Sequence, residues 1–126
     1  MGRKYLEELG YDWNYGSEED DRQKHWAKER EEYGFDNRET WNMDVSFFLW
    51  LYERLRMYKE ISPVDLTFHK FEHEGQELNL GECIDKIIEN IQYSFKNDRY
   101  ELDKEVARRE TEAVDIFSKI IFYLWW

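Results

Sequence analysis

The sequence predicts a mainly α protein of the α+β class: a compact bundle of three to four helices with one small β-hairpin. Three observations predict it. Apolar residues recur at helical spacing in three long stretches, 37–61, 80–97 and 99–126. The period drops toward two over 64–80, around the pair Glu74-Gly75. One proline and six glycines in 126 residues leave no linker and no low-complexity tract, so 1–126 reads as a single domain.

Residues 1–16 read as an N-terminal arm. Tyr5, Leu6 and Leu9 have the spacing of one or two helical turns, and Gly10 ends them. Tyr11, Trp13 and Tyr15 then alternate, as a strand or an arm laid on the core would require. A charged helix is expected over 17–34. Ser17 is its candidate N-cap, with Asp20 as the acidic member of a capping box, and Glu18, Glu19 and Asp20 sit where the helix dipole favours anions. Gly34 is placed for a left-handed cap. Trp26 and Tyr33, seven residues apart, are its two expected aromatic anchors.

The central helix, 37–61, starts near Asp36 or Thr40 and stops at Ser62-Pro63. Trp41, Val45, Phe48, Tyr52 and Leu55 make one face; Phe47, Leu49, Trp50 and Leu51 close much of the ring. A helix apolar nearly all round is packed on more than one side. At ~25 cal/mol per Å2, hiding the 47–52 rings inside the chain stabilises the fold by several kcal/mol, so most of them belong to the core.

Over 64–80 the expectation is a hairpin, with Leu66 and Phe68 on one face, His69, Phe71 and His73 on the other, and a two-residue turn at Glu74-Gly75. Asn79 and Glu82 then form a capping box that opens the helix 80–97, whose stripe is Ile84, Ile87, Ile88, Ile91 and Phe95. The last helix, 99–126, is lined by Leu102, Val106, Ala113, Ile116, Phe117, Ile120, Ile121 and Leu124. Arg108, Arg109 and Glu110 interrupt that face, so a kink or break is expected near 108–112.

Charge bounds the function. Acids exceed bases by 29 to 18, for a formal charge of −11. Such a surface repels nucleic-acid phosphates and anionic lipid, and it favours a partner with a basic surface. No apolar run approaches the ~20 residues of a membrane span, and "MGRKYLEELG" lacks the apolar region of a secretory signal. The expected location is the cytoplasm.

Chemistry-bearing patterns are sparse. His69 and His73 share a strand face but lie ~13 Å apart, too far for one metal ion, and His25 reads as a surface residue. Glu82-x-x-Asp85 and Glu112-x-x-Asp115 each place two acids on one helix face, the type of pair with which all-α nucleotide pyrophosphohydrolases hold Mg2+. The further pair those enzymes need upstream is represented only by Glu29-x-x-Glu32, too far away on a solvated helix. Cys83 is the lone cysteine, so it has no disulfide partner within the chain; at the edge of the isoleucine stripe it reads as packed and inert. No catalytic residue, cofactor-binding residue, metal ligand or cofactor is assigned. The residues expected at an interaction surface are Glu18, Glu19, Asp20 and Asp21, whose acids can imitate a row of phosphates, together with Trp125 and Trp126. The tryptophan pair either plugs the core, the favoured role, or serves as a docking hook.

The stretches "GSEEDDRQKHWAKEREEYGFDNRETWNMD", "FLWLYERLRMYKE", "VDLTFHKFEHEGQE" and "LWW" resemble a group of small, functionally uncharacterised proteins encoded by phages, prophages and other mobile elements of Gram-positive bacteria. The likeness spans nearly the whole chain and is most specific from Arg38 to Tyr58. It implies an accessory protein working in the cytoplasm of a bacterial host. The expected function is therefore an acidic accessory protein that binds and inhibits or modulates a host nucleic-acid-handling protein, as an anti-defence or anti-CRISPR-like inhibitor and DNA mimic. The alternative is a non-enzymatic structural or accessory phage protein acting as a homo-oligomer, for example a homodimer. A Mg2+-dependent all-α nucleotide hydrolase ranks below both.

Overall fold

In the computed structural model, residues 3–11, 18–97 and 104–126 are described. The order is α1 (Lys4–Glu8), α2 (Gln23–Tyr33), α3 (Arg38–Trp41), α4 (Met43–Ile61), β1 (Lys70–His73), β2 (Gln76–Asn79), α5 (Leu80–Lys96), α6 (Lys104–Ile120) and a single 3-10 turn, Ile121–Tyr123. The class is mainly α with one antiparallel hairpin, as the periodicity requires. The chain divides into two compact units, Met1–Leu51 and Tyr52–Trp126.

In the first unit, α1 buries Tyr5 and Leu6. Trp13, Tyr15 and Ser17, expected in the arm and at the helix cap, lie outside the described residues. The charged helix begins at Gln23, several residues later than expected. Asp20 explains the delay. Its carboxylate accepts the backbone N–H of Arg22 at 2.9 Å and grips the Arg22 guanidinium at 3.0 and 2.8 Å. A side chain that bonds the backbone two residues on offers a turn in place of a helix. At the other end Gly34, at φ 86°, gives its N–H to the Arg30 carbonyl as the expected left-handed cap.

Only one of the two aromatic anchors of α2 is buried. Trp26 is enclosed, whereas Tyr33 is 62% exposed and leans on Phe35. The Arg38 guanidinium lies 4.2 Å from the centre of the Trp26 ring, the Arg22 guanidinium lies 4.9 Å from it, and Trp41 meets the ring edge-on at 6.0 Å. The second anchor is thus a cation rather than Tyr33.

The central helix is also divided, into α3 and α4. Asn42 leaves helical geometry (φ −134°, ψ 87°), and its carbonyl accepts the Ser46 N–H. Asparagine is among the residues that favour a helix N-cap over a helix interior. Of the six residues 47–52, Phe48, Leu49, Leu51 and Tyr52 are buried, Phe47 is half-buried and Trp50 is 46% exposed. Most of the apolar run is core, but its outward position carries a tryptophan.

In the second unit, the part of α4 from Tyr52 onward is tied to α5. The Gln92 side chain donates to the Tyr52 hydroxyl at 3.1 Å, and Lys59 pairs with Asp85. α5 packs against α6, and both touch the hairpin. Ile84, Ile87, Ile88 and Ile91 of α5 and Val106, Ala113, Ile116 and Ile120 of α6 are buried. The Asn79–Glu82 capping box is present with both of its hydrogen bonds, at 2.8 and 3.0 Å.

The hairpin is shorter than expected. Asp65 accepts the Thr67 N–H at 2.9 Å and hydroxyl at 2.6 Å, which holds residues 65–68 in a turn, so β1 begins only at Lys70. The strands pair Phe71 with Leu78 and His73 with Gln76. Glu74 and Gly75, both at positive φ (50° and 78°), make the two-residue turn that matches strand twist. No break interrupts α6 within Lys104–Ile120. Arg108 pairs with Glu105, and the Arg109 guanidinium packs over Tyr93 of α5 at 4.7 Å, so the charged interruption is accommodated without a break. Residues 98–103, including the expected helix start and Leu102, lie outside the described set.

Candidate functional site

The six residues expected at an interaction surface divide between the units. Glu18, Glu19 and Asp21 are exposed. Asp20 is not an open acid: the Arg22 side chain and backbone N–H hold its carboxyl down at about 2. The run is therefore a turn that fixes an arginine above Trp26, rather than a helical row of acids.

Trp125 and Trp126, favoured as core plugs, are exposed, at 71% and 67%. The α6 helix ends at Ile120, and the tightened turn Ile121–Tyr123 carries the chain away from helical geometry. The Tyr58 hydroxyl donates to the Trp125 carbonyl at 3.1 Å and so fixes this segment to α4 within the second unit. Phe122 is 84% exposed, while Tyr123 packs on Phe71 and His69 with ring centroids 4.9 and 4.8 Å away. Of residues 121–126 only Leu124 escapes exposure. Large rings held in water on an anchored segment have the composition of a binding hot spot.

A second constellation comes from three elements of the same unit. His73, at the end of β1, is buried. Its Nε2 lies 3.2 Å from Glu112 Oε2 of α6 and 3.9 Å from Glu74 Oε1 of the turn. Its Nδ1 faces Lys119 Nζ at 3.3 Å and Asp115 Oδ2 at 3.8 Å. Asn90, buried on α5, donates to Glu112 Oε1 at 2.8 Å, and Lys119 donates to the Glu72 carbonyl at 3.1 Å. Burial pushes the Glu112 carboxyl up, but the Asn90 and His73 hydrogen bonds outweigh it and hold the group below the ordinary carboxylate value. One ligand atom each from His73, Glu74 and Glu112 falls within 4.8 Å of the others.

His69, expected too far from His73 to share a metal ion with it, lies against Phe68 and Tyr123, and His25 is exposed beside Glu29. Strand periodicity separates the two hairpin histidines; packing brings the carboxylates of α6 and the turn to one of them. The available signal was Asn90, a polar residue bordering the buried face of an isoleucine-rich helix, where it needs a polar partner.

The acids of the first paired motif are engaged separately, whereas Glu112 and Asp115 of the second both face His73. Glu82 closes the α5 capping box, Asp85 meets Lys59, and Glu112 is held by Asn90 and His73. Cys83 is buried; burial, and then the neighbouring Glu82 charge, push its thiol up, away from the reactive thiolate. No helix among the described residues is long and apolar enough to cross a membrane. Comparison with known protein families, characterised proteins and solved structures found no match to this chain.

Proposed function

We propose that this protein is a non-catalytic binding protein. Its acidic surface docks on a basic protein of the kind that normally holds nucleic acid, and occupies or modulates that protein's site. The observation that carries this reading is the exposure of Trp125, Trp126 and Phe122 on a segment tied down through Tyr58, in a chain of formal charge −11. Charge steers the encounter and selects a basic partner; aromatic rings contribute short-range affinity once contact is made. The likeness to mobile-element proteins supports a bacterial host protein, including a CRISPR effector or other defence nuclease, as the target. The separate engagement of Glu82, in the α5 capping box, and Asp85, with Lys59, favours binding over hydrolysis by paired acidic motifs that share Mg2+.

The test is affinity capture from bacterial lysate at low and high salt, with sizing by light scattering. The expected result is a salt-sensitive complex with a basic, nucleic-acid-binding protein, weakened by Trp125→Ala and Trp126→Ala. The exposed rings also fit a second copy of the chain. A salt-insensitive homodimer with no basic partner would replace the proposal with the homo-oligomer reading.

A further inference from the structure

We propose that His73, Glu112 and Glu74 form a binding site for one divalent transition ion, of which Zn2+ is the type, at the turn end of the hairpin. The donor atoms are one imidazole nitrogen and two carboxylate oxygens, a set that suits Zn2+ and its neighbours better than the all-oxygen preference of Mg2+ or Ca2+. A tetrahedral ion with arms of about 2.0–2.1 Å places its ligand atoms ~3.3 Å apart. His73 Nε2 and Glu112 Oε2 already stand 3.2 Å apart, and Glu74 Oε1 lies 3.9 Å from the same nitrogen. The Glu74 side chain is 71% exposed and closes that gap by rotation. Its solvent side leaves room for water in the fourth position.

Hydrogen bonding accounts for the His73–Glu112 and His73–Lys119 contacts but gives Glu74 no role. A single Nε2–H donates to Glu112, which leaves the second carboxylate beyond hydrogen-bond distance of the same nitrogen. With a metal on Nε2, the ring proton moves to Nδ1, and Asp115 Oδ2, now 3.8 Å away, closes to hydrogen-bond distance to make the carboxylate–histidine–metal relation common in zinc sites. Lys119 then gives up its contact with Nδ1 and keeps the Glu72 carbonyl and Asp115, at 3.1 and 3.5 Å. Asn90 holds the other oxygen of Glu112 and so aims its free oxygen at the ion.

The experiment is calorimetric titration of chelator-treated full-length protein with ZnCl2, paired with the visible absorption of Co2+. The expected result is one saturable equivalent and a higher melting temperature in its presence. Glu74→Gln, on an exposed turn that folds without its charge, weakens binding about tenfold or more; Glu112→Gln weakens it further, and the adjacent Glu72→Gln leaves it unchanged. Uptake that does not saturate, or that proceeds equally in Glu74→Gln, overturns the proposal and leaves His73–Glu112 as a structural hydrogen bond.

Discussion

Asp36 Oδ2 lies 2.7 Å from Arg38 Nη2, both side chains are buried, and the same guanidinium rests 4.2 Å from the centre of the Trp26 ring. Asp36 also accepts Arg30 at 2.7 Å and the Arg38 backbone N–H at 3.1 Å. One carboxylate therefore satisfies two arginines and the opening of α3, and it holds a cation against the only buried side chain of α2. Charged residues perform here what an aliphatic cluster performs in a more apolar domain.

Removing one member of a buried pair leaves the other charge uncompensated. Asp36→Asn is expected to cost about 3 kcal/mol, measured by urea unfolding followed through tryptophan fluorescence. The pH dependence has a definite sign. The Arg38 side chain foremost, with Arg30 assisting against the opposing effect of burial, lowers the Asp36 carboxyl from 3.8 to about 2. Its contribution is fully present above the unfolded value and is lost as pH falls through roughly 4 to 2. The wild-type protein should lose stability across that window, and Asp36→Asn should show a flatter acid limb.

Two tryptophans separate stability from binding. Trp26→Ala empties a buried site and is expected to cost about 3–5 kcal/mol in chemical denaturation. Trp125→Ala removes an exposed ring while its backbone keeps the Tyr58 hydrogen bond, so stability should change by less than about 0.5 kcal/mol. Loss of partner capture in Trp125→Ala, with unfolding unchanged, is the pattern expected of an interface residue.

Glutamate is an uncommon choice at φ 50° in a two-residue turn, where asparagine is favoured. Glu74→Asn should raise stability by about 0.5 kcal/mol by relieving that preference, while it weakens Zn2+ uptake. Differential scanning calorimetry with and without ZnCl2 reads both effects in one variant.

Asn79→Ala breaks the capping box that starts α5 and should cost about 1 kcal/mol, read as a shift in the urea midpoint with an unchanged slope. Cys83, buried with its thiol pushed up, should react with a disulfide reagent only as fast as the protein opens. Adding urea below the unfolding midpoint should accelerate that reaction.

Local rules made much of this fold legible. The Asn79–Glu82 box, the Glu74-Gly75 turn, the Gly34 cap and the isoleucine stripe of α5 depend on residues within one or two turns of each other, and each stands where its spacing places it. Local competition also produced the misreadings. Asp20 and Asp65 bond backbone groups two residues onward and turn an expected helix start and an expected strand start into turns. Asn42 divides the central helix for a related reason.

By itself, the sequence determined the class of the fold, the mainly buried character of 47–52 and the excess of negative charge, because periodicity and composition act along the chain. Tertiary structure decided which of the apolar residues stay in water and which polar ones meet. Trp50, Trp125 and Trp126 are large apolar rings, yet the outward face of α4 leaves the first exposed, and the segment beyond the Ile121–Tyr123 turn leaves the other two exposed. His73, Asn90 and Glu112 come together only because α5 and α6 pack against the hairpin. Burial and convergence depend on helix rotation about the axis and on contacts distant in sequence, and no short-range pattern encodes either.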